Sequence, residues 1–95
     1  MGSKKFGYAR VSTAEQNLDR QLVILREQGV AEEDIFTDKI SGRKLQRPHF
    51  DELQRILRPG DEVITESLSR LSRSSEDLLN ILKGWDARSI KYTSL

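Results

Sequence analysis

The spacing of apolar residues changes character several times along the chain, and each change predicts an element. In residues 5–11, KFGYARV, the aromatic Phe6 and Tyr8 with β-branched Val11 predict a first strand. From about residue 15 to residue 28, Leu18, Leu22 and Leu25 recur at i, i+4 and i+7. That spacing predicts a helix, with Val23 and Ile24 widening its apolar face and Gly29 stopping it. DIFTD, residues 34–38, is a short second strand, and residues 39–47, KISGRKLQR, have no period and predict a loop. Pro48 then opens a helix, because proline at the first helical position lacks only an N–H that has no partner there anyway. Phe50, Leu53, Ile56 and Leu57 form its predicted buried stripe, and Pro59 with Gly60 ends it. DEVITE, residues 61–66, is a third strand, and SLSRLSRSS, residues 67–75, is a connector rich in serine and arginine. A last helix carries Leu78, Ile81, Leu82 and Trp85 on one side, and SIKYTSL begins a fourth strand.

The order βαβαβαβ with short links predicts an α/β fold: an open, largely parallel sheet of about four strands with helices on both faces. Ninety-five residues suit one domain with a single modest core. A strand running to the last residue suggests the front part of a larger protein. The chain is 33% charged with a net charge of +1, which fits a globular protein. It has no apolar run near the roughly 20 residues that a membrane span needs. MGSKKF has neither the apolar core of a signal peptide nor a myristoylation pattern. No cysteine is present, so disulfide and thiolate chemistry are excluded and the cytoplasm is the default location; a single histidine is too few for a histidine-based metal site. A net charge of +1 makes no strongly basic footprint for nucleic acid, so any anion site must come from local clustering.

Such clustering exists. In open α/β sheets ligands bind beyond the carboxyl ends of the strands, where helix N-termini also point. Ser12 lies at the first such junction. Ser12-x-x-Glu15 and Thr13-x-x-Gln16 both fit a capping box, so one reading of Ser12 is a helix cap; the other is a nucleophile beside Arg10. The connector after the third strand brings Arg70 and Arg73, three residues apart and on one face if it is helical, followed by a further capping box, Ser74-x-x-Asp77. The glycine-containing loop adds Arg43, Lys44 and Arg47. Three segments thus aim positive charge at one edge. A serine among arginines with no histidine beside it is unlike a Ser-His-Asp hydrolase and suits phosphoryl transfer, where the main task is stabilising charge on phosphate oxygens. Arginine does this well because its planar fork stays charged and donates two parallel hydrogen bonds. His49, in the first turn of its helix, reads as structural or surface; Trp85 as core or a partner surface. Asp38, ending the second strand, reads as orienting an arginine or as merely ending the strand.

At these residues a resemblance becomes visible. YARVSTAEQ (8–16) resembles the N-terminal signature of the serine recombinases, the resolvase/invertase family of site-specific DNA recombinases. NLDRQ (17–21), IFTDKISG (35–42), Arg47-Pro48 and SLSRLSR (67–73) extend it in matching order over nearly the whole chain. The resemblance implies a resolvase-like catalytic domain over residues 1–95 that stops before the family's dimerisation helix and DNA-binding domain. It implies that Ser12 attacks a DNA phosphodiester to form a 5′-phosphoserine link and free a 3′-hydroxyl. It further implies that Arg10, Arg47, Arg70 and Arg73 bind and activate the scissile phosphate, with Gln16, Gln21 and Asp38 supporting the site. Arg43 and Lys44 are DNA-binding candidates. No metal and no cofactor is implied. The partners implied are DNA and further copies of the protein, as a dimer and then a tetramer in the synapse, and no membrane.

Two positions depart from the family pattern. Ser69 stands where many members have an aspartate before the first arginine of the late motif, and Ser72 stands where a glycine is common between the two arginines. Glu66, at the end of the third strand, is the residue placed to compensate for the missing aspartate. The missing aspartate leaves open a second reading, a non-catalytic regulatory or assembly relative; a third, of another class, is a small α/β domain that binds a phosphate ligand at its strand ends.

Overall fold

The computed structural model describes residues 3–12, 18–40, 47–72 and 74–95, with Ser12 and Ile40 described by their backbone alone. Strands β1 (Lys5–Ser12), β2 (Ile35–Ile40), β3 (Glu62–Thr65) and β4 (Lys91–Ser94) form one sheet in the order β2-β1-β3-β4, with every adjacent pair parallel. Helices α1 (Leu18–Glu27), α2 (Pro48–Ile56), α3 (Leu68–Leu71) and α4 (Ser75–Ala87) connect them, with a 3-10 turn at Glu32–Asp34. The predicted βαβ order is therefore present, and β1 occupies the centre. Among the described residues no helix is long and apolar enough to cross a membrane.

The alternation along β1 distributes the core. Phe6 and Tyr8 enter the larger cluster, with Phe50, Leu53 and Leu57 from the α2 segment, Val63 from β3, Leu71 from α3 and Trp85 from α4. Ala9 lies in the smaller cluster on the other face, with Leu25 of α1, Val30 and Ile64. Helices thus cover both faces: α1 alone on one, α2 and α4 on the other. Gly7 makes the close approach of α1 possible, since a Cβ there would stand 3.0 Å from Leu25 Cδ1. Gly60, at φ +95°, supplies the left-handed turn that returns the chain into β3. Asp61 beside it closes that turn by accepting from the Arg58 and Lys4 backbone N–H groups at 2.9 and 3.0 Å. Trp85, 2% exposed, is core, and its indole N–H donates to Gln54 Oε1 at 2.6 Å.

Three local expectations change. Val23 and Ile56 are exposed, at 50% and 42%. At roughly 100° per residue, Val23 lies on the far side of α1 from Leu25, and Ile56 lies on the opposite flank of Leu53 from Phe50 and Leu57. The serine–arginine connector contains a complete helical turn, α3, which ends at Leu71. Ser72 follows it in extended conformation, φ −164° and ψ 152°, so α3 does not continue past Leu71 and Ser72 is not at a helix start; Arg73 lies outside the described residues. The Ser72 backbone makes no demand for glycine. Ser74 caps α4, its Oγ accepting from the Asp77 N–H at 3.3 Å, but its own N–H donates to Ser72 Oγ at 3.2 Å rather than to Asp77, so only half of the expected capping box forms.

Leu53 is fully buried in the larger cluster, whereas Leu79 on α4 is 57% exposed. Leu53→Ala is expected to lose about 2–5 kcal/mol of stability through lost burial and a residual cavity. Leu79→Ala is expected to change it by less than about 0.5 kcal/mol. Urea denaturation midpoints of the two variants test the difference.

Candidate active site

The carboxyl edge of the sheet is built around α3. The last three residues of β1, Arg10, Val11 and Ser12, pair with Asp38, Lys39 and Ile40 of β2. The chain leaving β3 passes over this edge as α3. A helix this short leaves carbonyls without intrahelical partners, and guanidinium groups take them up. Arg10 Nη2 donates to the Ser69 carbonyl at 2.6 Å, and Arg47 Nη1 donates to the Leu71 carbonyl. In the reverse direction, Arg70 Nη1 and Gln21 Nε2 donate to the Arg10 carbonyl at 3.1 and 3.4 Å. Arg10 from β1, Arg47 from the start of α2 and Arg70 from α3 therefore meet around one turn of backbone.

Arg47 and Arg70 have further support. The Arg47 guanidinium lies 4.3 Å from the Phe50 ring centroid and 3.6 Å from Asp77 Oδ2. Arg70 Nη2 lies 3.6 Å from Glu66 Oε1, four residues earlier, and Glu66 Oε2 lies 3.9 Å from Arg20 Nε. The Arg47 and Arg70 side chains are only 13% and 15% exposed, so their charges sit where water screens them weakly.

Asp38 occupies the α2 side of the same edge. Its carboxylate is 4% exposed, and each oxygen receives two donors. Oδ1 accepts from the His49 N–H at 3.1 Å and stands 3.0 Å from His49 Nδ1. Oδ2 accepts from the Tyr8 hydroxyl at 2.9 Å and the Phe50 N–H at 3.0 Å. The residue before Pro48 is Arg47, which makes no side-chain cap, so the carboxylate that caps α2 comes from β2. Of the two readings of Asp38, orienting an arginine or ending a strand, neither describes this; it is a helix cap delivered across the fold. Burial pushes the Tyr8 phenol well above its ordinary value of 10.0. The Asp38 charge and hydrogen bond add to that shift, while the Arg47 and Arg10 charges oppose it.

Of the sequence candidates, Arg10, Arg47, Arg70 and Gln21 are brought together, and Asp38 lies beside them. Ser12 is placed by its backbone at the end of β1, paired with Ile40. Its side chain, and Gln16, Arg43, Lys44 and Arg73, lie outside the described residues. Ser69 is exposed, and its hydroxyl is 2.9 Å from that of Ser67. Two participants escaped the sequence reading, the Tyr8 hydroxyl and the His49 ring. The signal for Tyr8 was present: a buried tyrosine needs a partner for its hydroxyl. For the His49 ring no local signal exists: the missing cap before Pro48 calls for an acceptor facing the His49 and Phe50 backbone N–H groups, not for the imidazole.

Comparisons with known proteins place the chain in a family and agree on its fold. The family model described as "Resolvase, N terminal domain" matches residues 5–95. The chain is 48% identical over 94 residues to a resolvase of Clostridium perfringens, covering 94% of this chain and 50% of that protein. It is 41% identical over 85 residues to the transposon Tn3 resolvase of Escherichia coli, covering 90% of this chain and 46% of that one. The chain therefore spans about half the length of these curated relatives. Among solved structures, the N-terminal catalytic domain of TP901-1 integrase superimposes with a TM-score of 0.77 at 32% identity, over 98% of this chain and 77% of that one. The C-terminal catalytic domain of the IS607-like serine recombinase ISC1926 TnpA shares the fold, with a TM-score of 0.74 at 24% identity over 96% of this chain and 68% of that one.

The raised Tyr8 pKa has a definite sign in stability. Above about pH 10 the unfolded chain releases a phenolic proton that the folded chain retains, so stability is full below that pH and falls as pH rises through the folded value. Tyr8→Phe is expected to be less stable at neutral pH and to show a shallower decline above pH 10. Denaturation midpoints of both proteins across that range check it.

Proposed function

Because the chain belongs to the resolvase N-terminal domain family, we propose that it is the catalytic domain of a site-specific DNA recombinase, with Ser12 as the nucleophile. Ser12 Oγ attacks a DNA phosphodiester, a 5′-phosphoserine bond forms, and the 3′ oxygen leaves. The observation that carries the reading is the meeting of Arg10, Arg47 and Arg70, from three separate segments, at the edge where β1 ends in Ser12. Each donates to a neutral backbone carbonyl, and Arg47 and Arg70 also lie 3.6 Å from the Asp77 and Glu66 carboxylates. A phosphate presents anionic oxygens to the same forks and makes the stronger, charge-assisted bonds. The carbonyls thus hold the guanidiniums in place beforehand, which is the form of electrostatic stabilisation most effective in transfer of charged groups. Loss of one such donor costs on the order of 3–4 kcal/mol in the transition state. Arg73 and Gln16 complete the set by family position, and Arg43 and Lys44 contact the DNA backbone beside it. DNA is the partner, and self-association brings two sites together.

Glu66 takes the place of the absent aspartate as the acid beside the late-motif arginine, holding Arg70 through its 3.6 Å contact. In this role it orients a guanidinium.

The test uses full-length protein and a supercoiled plasmid carrying the DNA around its own gene. Wild type is expected to give a protease-sensitive adduct at the 5′ end of the cut, and Ser12→Ala none. An adduct that survives Ser12→Ala moves the nucleophile elsewhere. A folded, DNA-bound wild type that forms no adduct identifies an assembly module instead. Glu66→Gln is expected to slow adduct formation by roughly tenfold or more, as loss of a charged partner worth about 1.5–3 kcal/mol predicts. An unchanged rate removes Glu66 from the site.

A further inference from the structure

Arg47 is met by three groups of different kinds. Its Nη1 donates to the Leu71 carbonyl, and its guanidinium carbon lies 4.3 Å from the Phe50 ring centroid. These two neutral contacts fix the position of the fork. The third group is the Asp77 carboxylate, whose Oδ2 stands 3.6 Å from Nη2. That separation is longer than the roughly 2.7–3.2 Å of a hydrogen bond from an N–H. Asp77 therefore meets the charge of Arg47 without directing its donors.

The two ends of this pair are unlike. The Arg47 side chain is 13% exposed, whereas that of Asp77 is 51% exposed. A turn of its own side chain takes the carboxylate into water, while the guanidinium stays under its cover. Nor does α4 need the Asp77 charge at Arg47. The helix is capped through the Asp77 backbone N–H, which donates to Ser74 Oγ, and Glu76 also supplies acidic charge to its first turn. Glu66 is the contrast. Its side chain, 17% exposed, lies against both Arg70 and Arg20, and its Oε2 is buried. Glu66 is built into the site; Asp77 stands at its margin.

An anion that reaches Arg47 competes with Asp77, because two anions on one guanidinium repel each other. Resting on the recombinase reading, we propose that Asp77 is an internal counter-ion of Arg47 that the DNA phosphate displaces. Before DNA arrives, the pair neutralises a largely buried positive charge. On binding, the phosphate takes the Nη2 edge and Asp77 withdraws to solvent, with Leu71 and Phe50 still holding the guanidinium. Whatever the pair adds to the stability of the empty site is subtracted from its affinity for phosphate. Asp77 thus tunes how tightly the site takes DNA and has no part in the chemical step. Its loss shifts the concentration needed for half-maximal rate and leaves the maximal rate unchanged.

The experiment is the rate of adduct formation by full-length protein on the same plasmid, followed against protein concentration for wild type, Asp77→Asn and Glu76→Gln. Asp77→Asn keeps the backbone N–H that Ser74 caps. Glu76→Gln removes the same charge from the same exposed helical turn and controls for net charge alone. Asp77→Asn is expected to reach half-maximal rate at a concentration roughly two- to fivefold lower than Glu76→Gln, the range for a partly exposed ion pair, with the wild-type maximal rate. Equal half-maximal concentrations in the two variants overturn the proposal. So does an Asp77→Asn protein with a lower maximal rate or a higher half-maximal concentration, because that is the pattern of a residue that positions Arg47. Absence of any adduct from wild type overturns the recombinase reading itself, and this proposal with it.

Discussion

A carboxylate taken out of water must be met by donors, and Asp38 meets that requirement with one side chain from β1, one from α2 and two backbone N–H groups of α2. An isolated buried charge is among the most costly features a fold contains, whereas a fully hydrogen-bonded one is tolerated. The consequence is geometric. Four donors converge on two oxygens only if the start of α2, the middle of β1 and the end of β2 stand in one arrangement. The packing of Tyr8 against Phe50, with ring centroids 5.0 Å apart, and the seating of α2 on the sheet both follow from it. So does the position of Arg47, which immediately precedes the helix that Asp38 caps.

On the other side of the edge the logic reverses, and backbone carbonyls gather positive groups. A single turn such as α3 has too few residues to satisfy its own carbonyls, and Ser69 and Leu71 turn theirs toward Arg10 and Arg47. Arg70 reaches back to the Arg10 carbonyl, so α3 and β1 exchange hydrogen bonds across the edge. The arginines are thus part of the architecture before any ligand arrives. Electrostatics here are local: a chain with net charge +1 holds three guanidiniums around one turn.

Much of this was legible in the sequence. Period and punctuation placed the four strands and the three longer helices, because each pattern belongs to a single element: the leucines of α1, Pro48 at the start of α2, and Gly60 before β3. The arginines of the edge were legible by position, each standing at the end of a strand or the start of a helix. The illegible features depend on more than one element. Val23 and Ile56 read as core from spacing alone, yet which flank of a helix is buried depends on where the sheet lies. The one-turn α3 has no period to detect. The capping of α2 by Asp38 joins residues eleven and twelve positions apart, and no local motif encodes it.

The strand order sets the order in which the chain acquires its shape. β1 leaves the ribosome first, yet it is central and needs partners on both sides. The bonds that tie it to β3 and α3 join residues 57, 59 and 60 positions apart. Closing loops of that length before any contact offsets their entropy makes such a topology slow to fold, with the unpaired strand exposed meanwhile. The same geometry makes the arginine cluster among the last features to form, because α3 cannot accept from Arg10 until β3 has docked beside β1. A nascent or partly folded chain therefore carries Arg10, Arg47 and Arg70 without the arrangement that joins them, and gains it only once the sheet has closed.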